Sequence, residues 1–172
     1  MIKIGQGVTM SGQRGTYMSK KSVSEAAVKR PWCMITDMDQ YLFGEGTHYE
    51  IYKKLGAHPT EYNGEQGVYF AVWAPHAKGV RVVGEFNCWG NDGYPMKRLD
   101  PLGIYEVFIP GLREGSMYKY LIETESGDYL YKADPFASYA EKRPGTASRV
   151  ADISQFIWHD ERWMEKRKTW NS

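Results

Sequence analysis

Gly67-Val-Tyr-Phe-Ala-Val-Trp73 is the stretch on which the fold turns. Apolar residues recur at every second position, so Val68, Phe70 and Val72 line one side of an extended strand, and Pro75 ends the run. The same period returns downstream. Val80-Arg-Val-Val83, Ile104-Tyr-Glu-Val-Phe-Ile109 and Met117-Tyr-Lys-Tyr-Leu-Ile122 read as three more strands, with turn-rich sequence from Asn87 to Pro95 and Pro110-Gly111 between the last two. Ser126-Gly127 marks a hairpin into Tyr129-Leu-Tyr131, and Arg149-Val-Ala-Asp-Ile153 closes the set. Six or seven short strands without intervening helices predict a mainly β chain folded as an antiparallel β-sandwich. Doubly wound and barrel α/β folds are excluded by the same pattern.

Upstream of Gly67 the pattern is helical. Thr36 followed by Asp37 and Asp39 predicts a helix start, with carboxylates where the helix dipole favours them, and Gly44 and Gly46 end it. Thr47-His-Tyr-Glu50 reads as a capping box for a second short helix, with Ile51 and Leu55 on one face, Gly56 as its stop and Pro59 beyond. Residues 37–66 hold six acidic and two basic residues, which excludes a DNA-reading helix-turn-helix. Residues 1–36 carry six basic residues and one acidic one and have no sustained apolar period, so they read as a mobile arm. Within that arm Ser22-Val-Ser-Glu25 caps at most a short helix ahead of Pro31. At the other end Trp158, Trp163 and Trp170 sit among charges, and Asp160 predicts the start of a short helix running through Lys168. The expected division is an arm at 1–36, a helical lead-in at 37–60, the sandwich at 61–153 and a connector at 154–172.

Composition narrows the function. Length fits one domain with appendages, and 22 Lys+Arg against 21 Asp+Glu leave a net charge of +1, which argues against nucleic acid or an anionic membrane as partner. Apolar runs all fall short of the ~20 residues of a transmembrane helix, and no signal-peptide pattern opens the chain. Cys33 and Cys88 read as free thiols in a reducing cytoplasm, and the cysteines and histidines form no metal-binding cluster. His48, His58, His76 and His159 are scattered and read as structural or exposed. No phosphate-cradling Gly-x-Gly-x-x-Gly element is present, so neither metal nor cofactor is expected. Aromatics stand out, with 13 Tyr and 6 Trp, a supply of flat faces for a core or for a flat ligand. Trp73, mid-strand, reads as core; Trp89, in a turn, fits either core or an exposed stacking position.

Several strings carry a resemblance. T-D-M-D-Q-Y-L-F-G-E-G-T-H-Y-E-I-Y-K-K-L-G-A-H, from Thr36 to His58, and G-V-Y-F-A-V-W-A-P-H-A, from Gly67 to Ala77, resemble the start of bacterial glycogen branching enzymes. V-V-G-E-F-N-C-W, from Val82 to Trp89, resembles that family's F-N-x-W motif. K-A-D-P-F-A, from Lys132 to Ala137, and R-P-G-T-A-S, from Arg143 to Ser148, are similar to its later signatures. The resemblance implies a carbohydrate-binding module of family 48, an immunoglobulin-like sandwich that precedes a glycoside hydrolase family 13 barrel. It also implies α-glucan such as glycogen or amylose-like chains as partner, and glycogen biosynthesis as setting.

Carried over by that resemblance, the sugar site comprises Trp89, Asn87 of the same motif, Lys119 in Tyr118-Lys-Tyr120, and Tyr129 or Tyr131 as second aromatic. Two departures are visible: the second aromatic is tyrosine rather than tryptophan, and Gly145-Thr146 leads to Ala147 and Ser148 rather than to asparagine. The barrel's catalytic carboxylates are not among these residues, so the chain alone is expected to be inactive. Asp37 and Asp39 read as helix-start residues, and Glu123 and Glu125 as a solvated strand face, rather than as the carboxylate pair that glycosyl transfer needs. The tail resembles the connector into the barrel, which makes Trp158, Trp163 and Trp170 docking anchors for that missing partner. The alternative is a freestanding glycogen-binding regulatory module, which has no use for such a connector.

Overall fold

A computed structural model describes residues 33–154 and 156–170. The expected arm, with its Ser22–Glu25 cap, lies outside those residues except for Cys33 to Thr36. Helix α1 (Asp37–Gly44) leads into β1 (Gly56–Tyr62), β2 (Glu65–Trp73), β3 (Ala77–Gly84), β4 (Tyr94–Pro95) and β5 (Lys97–Leu99). Then come β6 (Ile104–Pro110), β7 (Met117–Thr124), β8 (Tyr129–Lys132), β9 (Tyr139–Ala140), β10 (Ser148–Arg149) and helix α2 (Glu161–Lys168). All strand pairs are antiparallel. One sheet has the order β1-β2-β6-β5; the other runs β4-β3-β7-β10-β9, with β8 on β7. The expected mainly β, immunoglobulin-like sandwich is what forms. Among the described residues no helix is long and apolar enough to cross a membrane.

The face read from Val68, Phe70 and Val72 packs between the sheets against Val80, Val82, Val107, Ile109, Tyr118 and Tyr120. The other face of β2 is buried as well. Tyr69 and Ala71 pack with Ile35, Leu55, Leu99 and Ile104, so the lead-in is a lid on the outer surface of the first sheet. Burial on both faces explains why Val68 to Val72 are apolar without a break. Beneath that lid, Glu106 is only 2% exposed and accepts from the Tyr69 hydroxyl at 2.8 Å and from the Met34 amide at 3.2 Å. Those contacts tie Met34 and Ile35 to the sheet, so the described end of the expected arm is packed.

Four local expectations are corrected. Thr47 caps nothing: its hydroxyl donates to the Leu42 carbonyl, and Ile51–Lys53 is a single 3-10 turn held by the packing of Ile51 and Leu55. Gly56 opens β1 rather than closing a helix, so the sheet begins earlier than expected; β1 is an edge strand, where Pro59 is tolerated. The closing strand shrinks from Arg149–Ile153 to Ser148–Arg149. Trp73 is not core: it is 52% exposed, its indole N–H donates to the Leu102 carbonyl at 2.9 Å, and Phe43 meets it edge-on.

The Thr36 start forms as expected, and Asp39 is its joint. The Asp39 carboxylate accepts from the Thr36 amide at 2.8 Å and its hydroxyl at 2.7 Å, and lies 2.8 Å from His48 Nε2 and 3.4 Å from Lys54 Nζ. Burial pushes this carboxyl up, but His48, Thr36 and Lys54 outweigh it and hold it well below the usual carboxylate range. A depressed carboxylate stabilises the fold above its unfolded pKa, near 3.9, and that contribution disappears as pH falls through the folded value. The gap in urea midpoint between wild type and Asp39→Asn is therefore expected to be wide above about pH 4 and to close below it. A gap independent of pH would show that Asp39 is not the lead-in's joint.

Candidate functional site

The site grows from the loop after β3. Gly84 is the last residue of β3 paired with β7, opposite Tyr118, and from there the chain enters a short 3-10 turn at Glu85–Asn87. Asn87 closes that turn: its Oδ1 accepts from the Gly84 amide at 2.8 Å and its Nδ2 donates to the Gly90 carbonyl at 3.2 Å. The structure thus gives both ends of the Asn87 side chain to the backbone. Cys88 and Trp89 follow at φ 55° and 59°, two consecutive non-glycine residues in the left-handed region, each costing about 1–2 kcal/mol. The loop then folds back over the outer face of the second sheet. A Cβ on Gly93 would lie 2.5 Å from both the Val82 carbonyl oxygen and Val83 Cγ1, so only glycine permits this approach.

Register decides what else reaches the loop. Lys119, Leu121 and Glu123 alternate on the outer face of β7, and β8 places Tyr131 opposite Leu121 and Tyr129 opposite Glu123. The Tyr131 hydroxyl is 2.6 Å from Asn91 Oδ1 and 3.2 Å from the Trp89 carbonyl, which holds the strained loop in place. Lys119 Nζ lies 5.9 Å from the centroid of the Trp89 ring and donates to Thr146 Oγ1 at 2.7 Å. Trp89, half-buried, therefore has a cation over its ring and an exposed tyrosine bonded to its backbone carbonyl. Tyr129, exposed on the same face, lies two residues along β8 from this group.

Thr146 and Asn91 join the group without having been singled out by residue type. The signal for Thr146 was the Gly145-Thr146 pair, read only for the residues after it. Asp134 explains why the loops hold their places. Its buried carboxylate accepts from the Tyr118 hydroxyl at 2.6 Å, the Tyr120 hydroxyl at 3.1 Å and the Phe136 amide at 2.8 Å. Its own amide donates to Ser148 Oγ at 2.9 Å, which fastens the segment bearing Thr146 to the core. Burial pushes the Asp134 carboxyl up, and burial beside that carboxylate pushes both phenols up as well.

The tail lies apart from this group. Helix α2 forms where expected, although Asp160 makes no side-chain cap and no α2 residue is buried. Trp158, Trp163 and Trp170 are exposed, with the Arg167 cation over the Trp163 ring and the Lys166 cation over the Trp170 ring. A shallow cleft of about 680 Å³ lies between β1 and the loops after β8 and β10, lined by Tyr52, His58, Phe136 and Ile153 among others. It contains none of the expected site residues. Cys33 and Cys88 are free, and among the described residues no group of three His, Cys, Asp or Glu is placed to hold a metal ion.

Comparison with known proteins agrees with this architecture. Residues 54–137 match carbohydrate-binding module 48 (isoamylase N-terminal domain). The 1,4-alpha-glucan branching enzyme of Butyrivibrio fibrisolvens is 54% identical over 134 residues, covering 78% of this chain and 21% of that protein. That of Synechococcus sp. (strain JA-3-3Ab) is 52% identical over 133 residues, covering 77% and 17%. The chain thus spans about a fifth of the length of the curated relatives it matches. Among solved structures, Klebsiella pneumoniae pullulanase complexed with maltotriose has a TM-score of 0.45 and 26% identity over 58% of this chain and 10% of its own, too loose a likeness to locate a site. Residues 54–137 are thus similar to carbohydrate-binding module 48, and over more than three quarters of its length the chain is similar to bacterial 1,4-alpha-glucan branching enzymes.

Proposed function

We propose that this module binds α-glucan chains on the patch formed by Trp89, Lys119, Tyr131 and Thr146, and that it holds glucan for a branching enzyme without taking part in the chemistry. One observation carries the reading: four residues from four separate segments converge on one exposed face. A pyranose ring offers a face of C–H bonds that stacks on an indole and releases water, while an ammonium and hydroxyls at the rim take its hydroxyl groups. Asn87 acts here by shaping the loop, and Tyr131 is the second aromatic. The exposed Trp158, Trp163 and Trp170 serve to dock the module on the catalytic part of such an enzyme.

An open patch of this size supports weak binding, about millimolar to high-micromolar, or roughly −4 to −6 kcal/mol. Retardation in a native gel containing glycogen tests it. Trp89→Ala is expected to abolish retardation with its far-ultraviolet spectrum intact, and Lys119→Ala to weaken it several-fold. Undiminished retardation of both variants would place binding elsewhere.

A further inference from the structure

Beyond the central patch, we infer that Tyr139 and Arg149 form a second sugar subsite, so that the module binds along an internal stretch of α-glucan rather than gripping a single ring; this rests on the glucan-binding reading above. The register sets the two groups on one face. Arg149 is paired with Met117 and with Tyr139, and Met117 precedes Lys119 by two residues, which puts all of them on the outer surface of the second sheet. Strand geometry places Tyr139 about 7 Å along β7 and about 10 Å across it from Lys119. That separation exceeds one pyranose ring and lies within reach of a short oligosaccharide.

The chemistry repeats that of the centre. Tyr139 is 57% exposed, and the Arg149 guanidinium lies 5.7 Å from its ring centroid, close to the 5.9 Å between Lys119 and Trp89. Arg149 Nε donates to the Gly115 carbonyl at 3.3 Å, which fixes the guanidinium, and among the described residues no carboxylate pairs with it. Its outer N–H groups are free for sugar hydroxyls. A ring with a cation lying over it is thus offered twice, with the Thr146 segment between the two.

Chain-length dependence separates this inference from the reading beneath it. The dissociation constants of maltotriose and maltoheptaose are measured by NMR titration of the full chain. The longer ligand is expected to bind roughly tenfold more tightly. In Tyr139→Ala the ratio should fall close to one, Tyr139→Phe should restore it, and Tyr49→Ala, at an exposed position off this face, should leave it unaltered. A wild-type ratio near one, or a ratio that survives Tyr139→Ala, overturns the second subsite. Absence of binding by either sugar to the wild-type chain overturns the glucan reading itself.

Discussion

Asp134→Ala is expected to lower stability by about 3–5 kcal/mol and to remove glucan binding with it. The substitution deletes the acceptor of two buried phenols and of the Phe136 amide. Tyr120 keeps the Ala71 carbonyl at 3.3 Å, but the Tyr118 hydroxyl loses its partner inside a closed core. An unsatisfied buried donor costs about 1–3 kcal/mol, and donors to a carboxylate sit at the upper end. Because burial raises this carboxyl, the native state holds its proton more tightly than the unfolded chain. Its contribution is therefore fullest below the unfolded pKa of about 3.9 and falls as pH rises through the folded value. Urea denaturation should accordingly show a larger deficit at pH 3 than at pH 7. Adding Tyr118→Phe removes the orphaned hydroxyl and should recover part of the loss, a coupling that independent sites would not show. A deficit below about 1 kcal/mol would mean that Asp134 reaches water and does not anchor the Thr146 segment.

Gly84→Ala should do comparable damage by a different route. Gly84 has an extended backbone at φ −174°, which any residue adopts, so conformational freedom is not the issue. Space is: an added Cβ would collide with the Met117 carbonyl oxygen and the Phe86 ring. The phenyl could turn aside, but the carbonyl belongs to β7 and moves only if the two strands part. Gly84 also accepts the Trp89 amide at 2.9 Å, so the same displacement undoes the loop. We expect a cost at or above the upper end of the roughly 1–3 kcal/mol of overpacking, together with lost retardation on glycogen. Gly111→Ala is the control. It has open space at φ +79°, and only the left-handed backbone opposes it, at about 1 kcal/mol. Equal losses in the two variants would refute the close approach of β3 and β7.

Legibility followed the length and depth of each element. β2, β3, β6 and β7 were readable because four to seven consecutive residues in each alternate or stay apolar between turn formers. β4, β5 and β9 hold only two or three residues each, too few for any period to register, and β10, read at its start, is no longer than β4 or β9. β1 escaped for another reason: at a sheet edge it needs partners on one side only, so Pro59 and the polar Thr60 and Glu61 carry no strand signal. At Thr36 the reading held because the cap bonds lie within three residues. At Thr47 a similar string failed, since packing of Ile51 and Leu55 on the sheet outweighed a local cap.

Residue types and local spacing by themselves determined the sandwich, the capped lead-in, the short terminal helix and the turn that contains Trp89. The tertiary structure alone decided that Trp73 faces outward and that Tyr131, rather than Tyr129, ties the Trp89 loop. It likewise decided that Asn87 is consumed by its own turn and that Thr146 meets Lys119 across 27 residues of chain. The division has a physical cause. Periodicity and caps are energies between residues a few positions apart, which a string of letters displays directly. Which side chains share the outer face of β7 depends instead on the register of β3, β8 and β10 against it, and that register is set by the packing of both sheets at once.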